Sequence, residues 1–188
     1  MLIIKVVFAN LFVTTICLTI IMFFGNTVFA DNINEWKIKE YQKFVIASKS
    51  GKITYGEEQK FVFFRKNCTT VQHLFNIYTI KKNDFSKIKG NLIVLEFNGE
   101  KIGGKVLTVS APPIGHILMI DLGIYNKDTI LQHLQKNDDI RIRLVDGNDI
   151  VASEYFDILE NEWSIKGIKD AFSEAFTVCK KVSPSKVV

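Results

Sequence analysis

One segment of the chain leaves little choice of fold. Asn91–Phe97 reads Asn-Leu-Ile-Val-Leu-Glu-Phe, a strand, and Asn98-Gly99 follows it directly. That dipeptide suits a type I′ turn, whose two central residues both take positive φ. The chain then returns as a second strand over Lys101–Ser110. Gly103-Gly104 within it marks a bulge or a close backbone approach. Ala111-Pro112-Pro113 ends it, because proline donates nothing to a ladder. A lone hairpin is marginal in water, so this one needs further strands or a helix against it.

The rest of the chain supplies both. Trp36–Ile38 and Phe44–Ala47 are short apolar-rich strands. Phe61–Phe64 is a strand with apolar residues on both faces. Val71, His73, Phe75 and Ile77 fall on alternate positions, the period of a half-buried strand. Ile117–Leu122 is another apolar strand. Asp128 is placed to cap a short helix over Thr129–Lys136, with Ile130, Leu131 and Leu134 inward and His133 opposite. Ile140, Ile142 and Leu144 alternate with Arg141 and Arg143; Asp146-Gly147 makes a turn, and Ile150–Ile158 is read as the partner strand. Ser164 then caps a helix whose Ile165, Ile168, Phe172, Ala175, Phe176 and Cys179 form one apolar stripe. Seven or more strands and one terminal helix predict a mainly β, β-sandwich-like domain. The alternative is an α+β layout with one curved antiparallel sheet.

The first thirty residues read as an address. Lys5 is followed by an uncharged apolar run, Val6–Phe24, then a break at Gly25-Asn26-Thr27 and the small-x-small site Val28-Phe29-Ala30. This is the layout of a secretory signal peptide cut after Ala30. The expected organisation is a signal peptide over 1–30, one β-rich domain over 31–182 and a flexible tail over 183–188. Cleavage removes Cys17 and leaves Cys68 and Cys179, which in an exported chain predict one disulfide. It would close a loop of about 110 residues, for which chain entropy allows on the order of 4–5 kcal/mol. No later stretch reaches transmembrane length, so no stable span is expected after cleavage.

Composition narrows the chemistry. At 47% apolar and 23% charged the chain is not disordered, and a formal charge of +4, scattered along it, does not point to nucleic acid. No His pair has helical ligand spacing and no Cys-x-x-Cys exists, so neither metal nor cofactor is expected. Ser110, Ser153 and Ser164 lack a nucleophile-elbow context, and no phosphate-cradling glycine loop occurs. Asp138-Asp139 and Glu160/Glu162 are carboxylate pairs beside turns, read as solvated acids. No catalytic set results. The densest basic cluster is Lys81, Lys82, Lys87 and Lys89; with His116, in the Pro-Pro-Ile-Gly-His loop, it is the candidate binding patch for an anionic or acidic partner. Phe61, Phe63 and Phe64 are read as a strand covered on both sides, with an apolar partner patch as the alternative.

The order of features resembles a known group. A signal peptide precedes Trp36, a β-rich middle follows, and Ser164, Ile165, Lys166, Gly167 and Ala171 stand near the end. This ending resembles that of invasion-associated locus B-like exported proteins. The resemblance implies a small periplasmic or secreted β-sandwich of a Gram-negative bacterium, associated with host-cell invasion and without catalytic residues to carry over. A broader group of exported proteins with the same ending and no known activity fits the residues as well. The expected function is therefore non-enzymatic protein or envelope binding, in the periplasm or outside it. The alternatives are a periplasmic inhibitor or chaperone-like factor, and a small hydrolase using His116.

Overall fold

The hairpin at the centre of the sequence is also central to the structure. In the computed structural model, residues 35–53, 56–147 and 150–181 are described, all within one compact unit, Ile33–Val188. The expected signal peptide and the 183–188 tail lie outside the described residues. Asn98 (φ 48°) and Gly99 (φ 88°) both take the left-handed conformation that the type I′ turn requires. They join β5 (Leu92–Phe97) to β6 (Glu100–Ser110).

Around this hairpin runs one antiparallel sheet of nine strands. The others are β1 (Lys37–Glu40), β2 (Phe44–Ser50), β3 (Glu58–Phe64), β4 (Thr70–Thr79), β7 (His116–Asn126), β8 (Asp139–Leu144) and β9 (Glu160–Ser164). The order across the sheet is β1-β2-β3-β4-β7-β6-β5-β8-β9. Among the described residues three α-helices accompany the sheet: α1 (Lys127–Leu134), α2 (Ala152–Tyr155) and α3 (Ile168–Lys180). Of the two expected layouts, the single curved antiparallel sheet with a C-terminal helix is the one found. No helix among the described residues is long and apolar enough to cross a membrane.

Curvature has two local sources. On the β4–β7 side the register slips between His73 and Leu74, so that Leu122 is the extra residue on β7. On the β6–β7 side it slips between Val106 and Thr108, leaving Leu107 extra on β6. Bulges bend a strand and raise its twist. Gly103-Gly104 is not a bulge: its pairing with β5 is regular. Gly104 is instead a close approach, since a Cβ there would sit 2.6 Å from Ile120 Cγ2 and 2.9 Å from Leu95 Cδ2.

The sheet curls until β9 reaches the β2–β3 connection. The Lys52 N–H donates to Glu162 O at 2.8 Å, and the Ile53 N–H donates to the Asn161 side chain at 3.0 Å. The Asn161 amide donates to the Glu57 carboxyl, which also accepts the Tyr78 N–H at 3.4 Å. Glu57 is 3% exposed and Asn161 2%. A Cβ on Gly51 would overlap the Asn161 amide, so only glycine fits there. Outside this seam Lys52 binds Asp139 (2.8 Å) and Glu162 (2.7 Å), and Arg141 binds Glu160 (3.3 Å) and Glu162 (3.1 Å). Three of the four carboxylates read as solvated acids, Asp139, Glu160 and Glu162, are thus gathered into an ion cluster, in which Lys52 and then Arg141 pull Glu162 down to about 2.

Helix α3 covers β1, β2 and β3. Phe172 packs edge-on against Phe61 (4.9 Å) and Phe63 (5.4 Å), while Phe64 faces out at 36% exposure. Such aromatic pairs add about 0.5–1.5 kcal/mol beyond the area they bury. Cys179 is bonded to Cys68, with Cα atoms 6.0 Å apart, as the inward stripe required. The Arg65 guanidinium donates to the carbonyls of Val178 (3.0 Å), Cys179 (3.3 Å) and Lys181 (2.5 Å). The guanidinium thus sits at the carboxyl end of α3, the negative pole of its dipole.

Four local expectations are corrected. His133 is not opposite Ile130, since the two line one space on the sheet side of α1. The cap of α1 is Asn126, whose side chain accepts from Asp128 and Thr129, so Asp128 lies inside the helix. The cap of α3 is Gly167 (φ 82°), and Ser164 ends β9 instead. Ile150–Ile158 is not the partner of β8; β9 is. There the Gly147 N–H donates to Ile150 O, and Asp146 accepts the Ala152 N–H, which closes a turn and starts α2.

Burial raises the Glu57 carboxyl from 4.5 to about 7. Its folded pKa therefore lies above its unfolded one, and the linked stability is full below pH 4.5 and lost as pH rises through 7. Denaturant melts from pH 4 to 8 should show the wild type losing on the order of 3 kcal/mol relative to Glu57→Gln across that window.

Candidate functional site

Four lysines sit on the connection between β4 and β5, and the connection is built rather than slack. The Thr79 hydroxyl at the end of β4 lies 2.6 Å from Asp157 Oδ1, which also accepts the Ile80 N–H at 3.0 Å. The Lys81 N–H donates to Thr79 Oγ1 at 3.2 Å. The Asn83 amide donates to Glu154 O, which ties the loop to α2. Asp84 caps a single 3₁₀ turn, Phe85–Lys87, by accepting from the Ser86 N–H (3.1 Å) and hydroxyl (2.6 Å). Those bonds hold its carboxyl below the usual range. The Asn91 amide donates to Lys87 O (2.7 Å), and the Gly90 N–H donates to Val106 O (2.8 Å).

Two apolar stakes hold the turn down. Phe85 is 5% exposed and Ile88 1%. The Phe85 ring lies 4.5 Å from the His116 ring and 5.9 Å from Tyr155. The structure therefore brings His116 from β7 under the lysine loop. Lys82, Lys87 and Lys89 are exposed and Lys81 half-buried. Beside them Ile80 is 55% and Ile114 72% exposed, and the Tyr78 hydroxyl donates to Ile114 O at 3.1 Å. Residues 80–91 carry four lysines and one acid, Asp84. The result is a basic surface with aliphatic side chains at its edge.

The chain matches no family model, no curated protein and no solved structure. Its site is read from its own geometry. His116 Nδ1 is buried and has no hydrogen-bond partner among the described residues. The arrangement presents positive charge and apolar contact, the properties of a docking surface.

A second concave feature was not legible in the sequence. Beneath α1, between β5, β6 and β7, lies a cavity of about 300 Å³. His73 lines it and is 2% exposed; its Nε2 is 2.5 Å from Gln59 Oε1. Burial lowers the His73 pKa to about 3, so the ring is neutral. Alternation placed His73 inward with Phe75 and Ile77, as observed, and gave no sign of a space beside it.

If Phe85 holds the lysines in place, Phe85→Ala should loosen the loop and leave the sheet intact. Amide exchange over 80–91 should accelerate at least tenfold, with β2–β4 still protected; unchanged exchange would separate the loop's order from the Phe85 contact.

Proposed function

We propose that the protein is an exported, non-enzymatic binding protein that attaches to an anionic surface of the cell envelope through the β4–β5 loop. The observation that carries this reading is the anchored loop itself. Lys81, Lys82, Lys87 and Lys89 project from a turn fixed by Phe85 and His116, next to exposed Ile80 and Ile114. Each basic residue near an anionic lipid surface contributes about 1 kcal/mol, and apolar side chains at the rim add contact with the headgroup layer. Export is supported by the residue pattern of 1–30 and by the Cys68–Cys179 disulfide, which oxidising compartments favour. The resemblance of the C-terminal stretch to invasion-associated locus B-like proteins supports the same placement, with a role in host colonisation.

Two measurements test the reading. The intact mass of protein recovered without reductant from a Gram-negative envelope fraction should begin at Asp31 and be two hydrogens light; retention of Met1–Ala30, or free thiols, would count against export in oxidised form. Co-sedimentation should show binding to phosphatidylglycerol vesicles, weakened by salt, and none to phosphatidylcholine vesicles. The double substitution Lys82→Gln/Lys87→Gln should weaken binding roughly thirtyfold without changing the unfolding midpoint. Equal binding to both vesicles, or by both proteins, sinks the proposal. Capture of an acidic protein by the lysines, with no vesicle binding, would replace the lipid surface by that protein.

A further inference from the structure

The cavity beneath α1 has features that packing alone does not require. Its walls include Phe97, Ile102, Leu122 and Ile130. Leu122 is the bulged residue of β7, so the same irregularity that bends the sheet turns a side chain toward this space. Two imidazoles contact Phe97: the His73 ring, edge-on at 5.8 Å, and the His133 ring of α1, stacked at 6.2 Å. Glu100 stands at the exposed rim, and neither lysine nor arginine lines the cavity.

The buried end of the site has a defined polarity. Gln59 is fully buried and its Oε1 faces His73 Nε2 at 2.5 Å. With an oxygen as partner, the ring proton sits on Nε2 and Nδ1 is an acceptor. Burying an amide and an imidazole in an apolar interior is unfavourable unless their polar atoms find partners. Gln59 Nε2 has none among the described residues, so this pair is not maintained by complete hydrogen bonding. Phe61 stacks on one face of the ring at 4.5 Å, which fixes its plane, and His73 is among the residues that line the cavity.

We infer that this cavity is a binding site for a neutral, roughly bicyclic apolar molecule carrying one hydroxyl or N–H donor, which bonds to His73 Nδ1. The size follows from volume, since a cavity of about 150 Å³ accepts benzene and this one is about 300 Å³. Neutrality follows from the lining. An anion would meet Glu100 at the mouth and no cation inside, and a cation would meet no acid at the buried end. The donor follows from His73, whose remaining nitrogen accepts and does not donate. The site is separate from the lysine loop, and neither depends on the other.

The test uses the full, disulfide-bonded chain with 1-naphthol and 1-methoxynaphthalene, which share a ring system and differ in the donor. Fluorescence titration should show 1-naphthol binding at least tenfold more tightly, the worth of one hydrogen bond. In protein labelled with ¹⁵N-histidine, 1-naphthol should move the His73 Nδ1 resonance and leave Nε2 nearly in place. Ile102→Trp, made at a half-buried wall position, should abolish binding without lowering the unfolding midpoint. Equal affinity for the two compounds would reduce the site to an apolar void. No binding, a stationary Nδ1, or binding that survives a folded Ile102→Trp would each overturn the proposal.

Discussion

The fold depends on how one curled sheet is held closed. Eight strand pairings lie within a single antiparallel sheet, and any such sheet can remain open. Here the Glu57–Asn161 contact joins the start of β3 to β9, and the backbone bond from Lys52 to Glu162 runs alongside it. The contact is buried and polar, which makes it directional: an aliphatic pair would tolerate sliding, whereas a carboxyl and an amide specify a register. Gly51 is the space this contact needs. The exposed ions around Lys52 add little energy individually, as surface pairs do. Their effect is to mark the seam's outer edge with matched charge.

Closure divides the inward row that begins at Glu57 and continues along β3 into two halves. Phe61 and Phe63 point at α3 and form the aromatic core, while Glu57 and Gln59 point at polar partners on β9 and β4. Helix α3 is then fixed at both levels a helix offers: by its apolar face, through Phe172, and at its end, through Arg65 and the disulfide. The cavity under α1 lies where the aromatic half gives way to the polar one, between His73 and His133.

Much of this was legible in the residues. Asn98-Gly99 specified a turn that only two left-handed residues can make, and the stripe ending in Cys179 specified both a helix face and a bond. What was not legible has physical causes. Glu160–Ser164 carries four polar residues and one apolar residue, and its two inward positions are Asn161 and Trp163, so its inward row is half polar and hydropathy does not mark it as a strand. The Ile150–Ile158 stretch has strand composition, but Asp146 accepts the Ala152 N–H and turns it into a helical start. Ser164 does not cap α3 because it still pairs with Asp139 in the β8–β9 ladder, and the helix starts only after Gly167. The lysines of the candidate site were visible as a cluster. His116 was grouped with them, but its contact with Phe85 was not legible, because it arises from the pairing of β4 with β7.

The disulfide has a consequence for the order in which this molecule is completed. Cys68 lies between β3 and β4, whereas Cys179 follows β9 in the chain. On a chain that emerges from its amino end, the first thiol waits until all nine strands have emerged. The bond is therefore a latch set at the end of assembly. A thiol exposed on an unfinished intermediate would be open to capture by another chain, so prompt arrival of α3 protects Cys68 as well as covering the sheet.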